Sequence, residues 1–521
     1  MKLSRIISGV ASARVNGFPP AARQEIDPEI SAIHCRSDQV TEGAMFVAIQ
    51  GTHVDGHRFI KDAVARGASA VVIEDRHQEQ MDGFNVAVVS VDNTRKALAS
   101  MAAQFYDNPS DKLYLIGITG TNGKTTTAYL IERLLLSQGI DVGVISTINY
   151  RYRGRVFPNP LTTPESLDLQ KILWEMAGAG VTHVVMEVSS HGVALGRIYH
   201  CRFDMGIFTN LTQDHLDFHG TMADYWDCKK RFFTEYLGRG PKSSHATAVI
   251  NHHDEKGREL LGSLKEMRLI AVGAHPSNDA ASDGVVFDEY GMKGKILFAN
   301  DAVKFQSPLV GRYNLENILC AAGAGMAMGM TSSEIVKGMA SFGGVPGRLE
   351  RIPSRSDRHV YIDYAHTPDA LLNVLTTLKE IITGRLICVF GCGGDRDRKK
   401  RPQMGEIAAR LSDLAIITSD NPRTESPDAI INDIRPGVIS VLNREYTLKE
   451  LESGFDEPGY AVQPDREKAI FLGIRAANYG DAVLIAGKGH EDYQIVGQNT
   501  FHFDDREKAL AALTLAEKGE N

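Results

Sequence analysis

A chain of 521 residues is long enough for two to four domains with sizeable cores. Its 43% apolar and 23% charged content is that of an ordinary globular protein, and a net charge of −8 argues against a nucleic-acid binder. No run approaches the ~20 apolar residues that cross a bilayer, and the N-terminal stretch lacks the apolar core of a signal peptide. The six cysteines are scattered without a CxxC pair or metal cadence, which predicts reduced thiols in the cytoplasm.

Three blocks follow in chain order. Residues 1–110 hold short apolar runs at Met45–Ile49, Ala70–Ile73 and Val86–Val91. Helical patterns lie at Phe59–Ala68 and Thr94–Tyr106, so a small α/β domain is expected. Asp107–Asp111 is turn chemistry and reads as a linker. Residues 111–346 begin with a strand, a Gly-rich turn and a helix. Strand-like runs follow at Val142–Ile145, His183–Glu187, Met205–Thr209 and Ala248–Asn251, with helical patterns at Leu167–Ala179 and Met222–Glu235. Alternation of this kind predicts a mostly parallel, doubly wound sheet. Gly284–Phe305 alternates like a hairpin insertion, and Asn314–Met328 reads as a buried helix. Residues 347–521 repeat the strand–helix alternation, with strands expected at Val360–Asp363, Leu386–Phe390, Leu414–Thr418 and Ala482–Ile485, and predict a Rossmann-like α/β domain.

The most informative stretch is Tyr114-Leu-Ile-Gly-Ile-Thr-Gly120-Thr121-Asn122-Gly123-Lys124-Thr125-Thr126-Thr127. Glycines let backbone N–H groups curl around phosphate oxygens, and the helix N-terminus adds positive potential. Lys124 is placed to neutralise phosphates and Thr125 to hold Mg²⁺. The common pattern has Gly where Ile118 stands, and Gly120 supplies the flexibility instead. An ordinary Gly-rich turn is the alternative; the strand before it and the helix after it favour a nucleotide.

Other polar groups gather where strands end, which is where ligands collect in parallel sheets. Glu187-Val-Ser-Ser-His191 offers a hard oxygen donor in Glu187 and a possible base in His191, or simply a turn capped by Ser189. Asp214, His215, Asp217 and His219 fall within six residues, suited to Mg²⁺ held partly through phosphates rather than to zinc. Lys229 and Lys230 lie about four helical turns beyond Asp214; sequence alone places both in solvent. Asp363-Tyr-Ala-His366 offers a carboxylate for a ribose, or a satisfied turn. The cluster Asp395–Arg401, with Arg396, is either an anion clamp or a solvated basic face. Asp420-Asn421-Pro-Arg423 could clamp a zwitterion, with Arg on its carboxylate and Asp on its ammonium. Gly487-Lys-Gly-His-Glu491 follows a strand in the same manner. Together these loops suggest a polar pocket for a small charged molecule.

In this order the motifs resemble the Mur ligase superfamily, the ATP-dependent amide-bond ligases of bacterial cell-wall synthesis. The resemblance spans nearly the whole chain and rests on Gly120–Thr125, Glu187–His191, Thr209-Asn-Leu with Asp214-His215-Leu-Asp217, Asn314-Leu-Glu-Asn317, Gly347-Arg348-Leu-Glu350 and Asp363–His366. Gly43–Ala48, Asp55–Phe59, Gly391–Arg396 and Gly487–Glu491 are similar to the MurE branch, which adds the third peptide residue. Asp420–Arg423 looks like the signature of members that add meso-diaminopimelate rather than L-lysine.

The resemblance implies three domains. Residues 1–110 would recognise the UDP-sugar, 111–346 would bind ATP, and 347–521 would bind the amino acid. It implies ATP contacts at Gly120, Thr121, Asn122, Gly123, Lys124, Thr125, Thr126, Asn314, Arg348 and Asp363. Mg²⁺ would be held by Thr125, Glu187, His215 and Lys229, the last as a carbamate, which turns a cation into an anionic oxygen ligand. Lys124, Lys229 and His215 would be catalytic. Thr162, Thr163, Ser189 and Arg197 would grip the UDP-sugar-peptide. Arg396, Asp420, Asn421, Arg423, Gly487 and Glu491 would form the diaminopimelate pocket. Where many members have Asp-Ser-Arg this chain has His34-Cys35-Arg36, and Leu195 stands where some have Gln, so one uridine-side and one acceptor contact differ.

The implied reaction activates the D-Glu carboxylate of UDP-N-acetylmuramoyl-L-Ala-D-Glu as an acyl phosphate, which an amine then displaces. Rivals are a neighbouring ligase, such as one adding L-lysine, D-Ala-D-Ala or folate-linked glutamate, and a P-loop regulatory ATPase with no condensing amine. The expected protein is a cytoplasmic monomer without nucleic-acid or membrane partners.

Overall fold

The computed structural model describes residues 1–16, 27–51, 54–77, 84, 86–237, 242, 245–265, 267–340, 342–354 and 358–519. Three α/β units follow one another along the chain. The first is a five-stranded sheet in the order Arg14–Asn16, Ala87–Val91, Ala70–Glu74, Met45–Val47 and Ile33–His34, parallel except for its first pairing. The strands 70–74 and 87–91 read as near-continuous apolar runs because both faces are covered.

The second sheet has eleven strands. Its parallel centre runs Val142–Ile145, His183–Glu187, Tyr114–Thr119, Met205–Phe208, Thr247–Asn251 and Arg268–Val272. Helices Lys124–Ser137 and Arg312–Ala327 pack on one face, and Ser166–Gly178 and the Phe232–Leu237 segment on the other. Gly117 sits where two rings close on the sheet; an added Cβ would lie 2.5 Å from Phe232. The expected hairpin insertion is a three-stranded meander, Ala280–Asp288, Gly291–Phe298 and Asp301–Ser307, that extends one edge. Strands Asn149–Tyr152 and Arg155–Pro158, absent from the sequence reading, extend the other.

The expected helix over Met222–Glu235 is instead α-helical only over Met222–Arg231 and continues as a wider π turn, Phe232–Leu237. A short helix, Leu216–His219, precedes it, so no continuous helix joins Asp214 to Lys229.

The third sheet has six strands, ordered Glu350–Ile352, His359–Asp363, Ala482–Ala486, Leu386–Phe390, Leu414–Ile417 and Gly459–Val462, all parallel after the first. A two-stranded hairpin, Tyr493–Val496 with Asn499–His502, stands apart. Arg466 and Asp505 form a forked pair, 2.8 and 2.6 Å, fully buried between helices Arg466–Ala476 and Asp505–Gly519. Arg466 also donates to the carbonyls of Ser419 and Ala486, at the ends of two parallel strands. Asp505→Ala would leave a buried guanidinium without its anion, a loss of roughly 3–5 kcal/mol. A lower unfolding transition in calorimetry is expected; an unchanged one would show that the pair adds nothing.

Candidate active site

The loops after three adjacent strands of the central sheet converge. Strand Tyr114–Thr119 lies between His183–Glu187 and Met205–Phe208, so their carboxyl ends open a crevice where ligands bind in such folds. Gly120 and Gly123 take positive φ, and a Cβ on Gly123 would fall 2.2 Å from Asn317 Oδ1. The loop is braced from the neighbouring strand end: Thr209 Oγ1 donates to the Asn122 carbonyl at 2.7 Å, and the Asn122 N–H donates to Asn210 Oδ1 at 2.9 Å. Lys124 Nζ curls back to donate to the carbonyls of Gly120 and Thr121, at 2.9 and 2.7 Å.

Lys229 is not in solvent, contrary to the expectation from sequence. It is 1% exposed, with Nζ donating to the Gly120 carbonyl at 2.8 Å and lying 4.5 Å from the Tyr225 ring centre. Burial, and then the charge of Lys124, push its pKa well below the usual lysine range. Burial also lowers that of Lys124, against the opposing pull of Glu187 and Asp214. Lys230 stays partly exposed, near Glu259.

Glu187 is fully buried and accepts from Thr125 Oγ1 (2.8 Å), Thr147 N–H (2.9 Å) and Thr147 Oγ1 (2.9 Å). Thr125 and Glu187 thus present hard oxygens side by side beside the phosphate loop, a donor set that fits Mg²⁺. His215 holds a positive φ of 54° and lies 3.4 Å from Asp214. Its ring meets His191 edge-on at 4.8 Å. Burial lowers the pKa of both imidazoles, that of His191 to about 4.

From the third unit, Arg348 Nη2 reaches Thr125 Oγ1 at 3.5 Å and its guanidinium stacks on Tyr364 at 4.4 Å. Buried Asp363 accepts from the Leu349 N–H at 2.6 Å, and burial raises its pKa to about 6. Asn314 donates to the Val310 carbonyl and accepts from Asn317, whose Oδ1 takes a bond from Thr127. Asp369 was missed in the sequence. Its carboxylate accepts from Asn122 Nδ2 (3.0 Å) and Thr212 Oγ1 (2.8 Å), and so ties the phosphate loop to helix Pro368–Ile381.

The four residues expected to hold the acceptor cluster around Glu187. Thr163 Oγ1 donates to the Glu187 carbonyl and lies 3.0 Å from Ser189 Oγ, Thr162 Oγ1 lies 3.0 Å from Thr147 Oγ1, and Arg197 Nη1 donates to the Thr163 carbonyl. Ser189 also caps helix Ser190–Ala194, accepting from the Gly192 N–H. Arg197 pairs with Glu165 at 2.8 Å.

A second pocket lies at the carboxyl ends of the third sheet. Asn421 Nδ2 donates to Glu491 Oε2 at 2.8 Å, and a Cβ on Gly487 would stand 2.4 Å from Asp420 Oδ2. Arg423, at φ 52°, donates through Nη1 to the Gly394 carbonyl. Its backbone pairs with the hairpin, its N–H donating to the Ile495 carbonyl and its carbonyl accepting from Gly497 N–H. Arg396 is exposed, with Nη1 donating to the Asp395 carbonyl at 3.1 Å, so it lies at the rim. Arg401 is not part of a solvated face: it is buried and paired with Glu425 and Asp433.

Among the described residues one further group, Asp55, His57 and His77, brings three metal-type ligands together. His57 there is already engaged at both nitrogens, with Asp55 through Nδ1 and with the Glu74 N–H through Nε2.

Comparison with known proteins places the chain in a family. The Mur ligase middle domain matches residues 118–325, the Mur ligase glutamate ligase domain 347–489, and the Mur ligase catalytic domain 29–106. A UDP-N-acetylmuramoyl-L-alanyl-D-glutamate–2,6-diaminopimelate ligase of Geobacter metallireducens is 47% identical over 96% of this chain and 98% of its own length. The chain belongs to the Mur ligase family. A protein of the same name from Nostoc sp. is 43% identical over 99% of this chain and all of its own length. A solved structure of a ligase of that name superposes with a TM-score of 0.64 at 30% identity, covering 94% of this chain and 95% of that one. The MurF ligase of Thermotoga maritima, solved with ADP, shares the fold at 18% identity, with a TM-score of 0.62 over 94% of this chain and 98% of that one.

No helix among the described residues is long and apolar enough to cross a membrane. All six cysteines are free thiols.

Lys124→Met removes one of the two ammonium groups on the Gly120 carbonyl. Affinity for ATP in calorimetric titration is expected to fall about tenfold or more, the worth of one charged hydrogen bond. Wild-type affinity in the variant would show that the backbone alone holds the phosphates.

Proposed function

We propose that this chain is an ATP-dependent ligase of peptidoglycan precursor synthesis. It joins meso-diaminopimelate to the D-Glu carboxylate of UDP-N-acetylmuramoyl-L-Ala-D-Glu, in the cytoplasm and as a monomer. The observation that carries the reading is the pairing of two sites. One is a cationic cradle where Lys124, Lys229 and Arg348 gather beside buried Glu187. The other is a pocket with carboxylates at one end and Arg423 at the other. The names of the 40–47% identical relatives support the choice of amine.

In this reading residues 1–110 recognise the UDP-sugar, 111–346 hold ATP and the acceptor peptide, and 347–521 hold the amino acid. Gly120–Thr126, Asn314, Arg348 and Asp363 bind the nucleotide. Thr162, Thr163, Ser189 and Arg197 orient the acceptor so that its carboxylate oxygen attacks the γ-phosphorus. The bond to the β-phosphate oxygen breaks, ADP leaves and an acyl phosphate forms. The amine, having lost its proton, adds to the acyl carbon; the carbon–oxygen bond to phosphate then breaks, giving the amide and inorganic phosphate. The chain contributes positioning and charge neutralisation, through Lys124 and Arg348 above all.

Thr125, Glu187, His215 and carbamylated Lys229 would hold Mg²⁺, which when bound neutralises charge on the transferring phosphoryl group. The carbamate forms when the neutral Lys229 amine adds to the carbon of CO₂ and releases a proton. It replaces the bond to Gly120 with an anionic oxygen donor.

Diaminopimelate carries a distal carboxylate that lysine lacks. Asp420, Asn421, Gly487 and Glu491 take one amino-acid end, and Arg423 with Arg396 at the rim takes the other carboxylate. Truncating one partner of such a pair costs roughly 2–5 kcal/mol.

Phosphate release with ATP, Mg²⁺ and the UDP-dipeptide is expected only when meso-diaminopimelate is added. Turnover with L-lysine would keep the ligase and overturn the amine; release without acceptor or amine would mark a regulatory ATPase. Arg423→Ala should lower kcat/KM for diaminopimelate about 30-fold or more with the KM for ATP retained, and unchanged kinetics would remove the pocket assignment. Lys229→Ala should lose most activity and recover part of it with short carboxylic acids. Full activity without rescue would dispose of the carbamate.

A further inference from the structure

The Gly487–Glu491 loop carries a side chain that the pocket assignment leaves unused. Lys488 is 0% exposed. Its Nζ donates to the Tyr493 carbonyl and lies 3.3 Å from Asn421 Oδ1 and 3.4 Å from Glu491 Oε2. An ammonium taken wholly out of water is kept only where anions and carbonyls balance it. Two carboxylates, Asp420 and Glu491, share this end of the pocket. Burial and Asp420 push the Glu491 pKa up, and Lys488 opposes them. Of the other cations around this loop, Arg466 is matched by Asp505 and Arg506 by Asp504, while Arg348 reaches to Thr125 and Arg423 donates to the Gly394 carbonyl. The remaining titratable groups facing Glu491, Tyr364 and Tyr493, have raised pKa values through burial and stay neutral. Asp420, Glu491 and Lys488 therefore leave one surplus negative charge.

We propose that Lys488 is a positioning residue for the amine substrate: it fixes Asn421 and Glu491 and balances one of the two carboxylates of buried Asp420 and half-buried Glu491, so that the pocket keeps a single negative charge for an ammonium group. The proposal rests on the amine-pocket reading above. It gives the second residue of the Gly-Lys-Gly-His-Glu stretch a function distinct from its flanking Gly487 and Glu491. Removing the cation would leave the mutual repulsion of Asp420 and Glu491 unopposed by Lys488, and one carboxylate would take up a proton more readily instead of binding an ammonium group.

Lys488→Met keeps the length and removes the charge. The KM for the amine is expected to rise at least tenfold, while the KM values for ATP and the UDP-dipeptide stay within twofold. The acidic limb of kcat/KM for the amine should move to higher pH, because loss of a cation raises carboxylate pKa values. A general packing defect would lower kcat with all substrates and leave that limb in place. An unmoved limb with an unchanged amine KM overturns the proposal. The double variant Lys488→Met/Glu491→Gln removes the unbalanced charge and guards against a single variant that fails to fold. It returns the pocket to the one negative charge of Asp420 and should bring the acidic limb back towards its wild-type position, and a limb as displaced as in Lys488→Met alone also overturns the proposal. The wild type, assayed with diaminopimelate and with lysine, separates the two claims. If lysine is the amine used, the substrate identity falls, and the same KM and pH shifts measured with lysine still decide Lys488.

Discussion

One backbone carbonyl, that of Gly120, accepts hydrogen bonds from two lysine side chains, half-buried Lys124 and buried Lys229. Like charges this close repel in a medium of low dielectric, and each bond is made only because the carbonyl dipole and the nearby carboxylates Glu187 and Asp214 offset part of the cost. The donors gathered at this loop suit the phosphates of the proposed nucleotide, and the left-handed backbone at Gly123 allows a close approach. The crevice, the strand order and the bracing by Thr209 and Asn210 serve to hold this one unstable arrangement open.

The third unit repeats the same physics with the signs changed. There the surplus is negative, at Asp420 and Glu491, and a buried lysine tempers it. The two centres are joined through the protein rather than by proximity alone. Asp369 reaches from helix Pro368–Ile381 to Asn122 in the phosphate loop, and Arg348 reaches to Thr125. Both contacts place groups of the third unit on the Gly120–Thr125 loop. A ligase that must activate one substrate and then admit a second needs this coupling, because an acyl phosphate exposed to water before the amine arrives is lost to hydrolysis.

The fold class and the phosphate loop were legible because local chemistry dictates them. A strand, a Gly-rich turn and a helix leave little else for Gly120–Thr125 to be, and apolar runs buried on both faces announce parallel strands. The edge strands Asn149–Tyr152 and Arg155–Pro158 were not legible, since partly exposed, polar edge strands lack an apolar run. Lys229 was misread because helical periodicity says that a residue has a buried side, not what fills it. Here the side chain turns inward from helix Met222–Arg231 to reach the Gly120 carbonyl beside the Tyr225 ring. Lys488 escaped notice for the opposite reason. It sat inside a recognised stretch whose flanking residues already had roles.

Asp420–Arg423 depends on a part of the chain that no local pattern connects to it. The hairpin Tyr493–Val496/Asn499–His502 is largely exposed and buries little, so hydrophobic stabilisation alone does not explain its place. What it supplies is backbone pairing. Ile495 and Gly497 hold Arg423 on both sides while that residue keeps a left-handed φ, and Ile495 N–H donates to Asn421 Oδ1. A non-glycine residue in that region is strained, and strain persists only where neighbours over-determine it. The hairpin is thus the support that fixes where the guanidinium points. Because it joins the loop carrying Lys488 and Glu491 to the loop carrying Arg423, both ends of the proposed amine pocket are set by one short segment. Selectivity for a substrate with two charged ends requires that common frame, since either end moving alone would leave a charge unmatched.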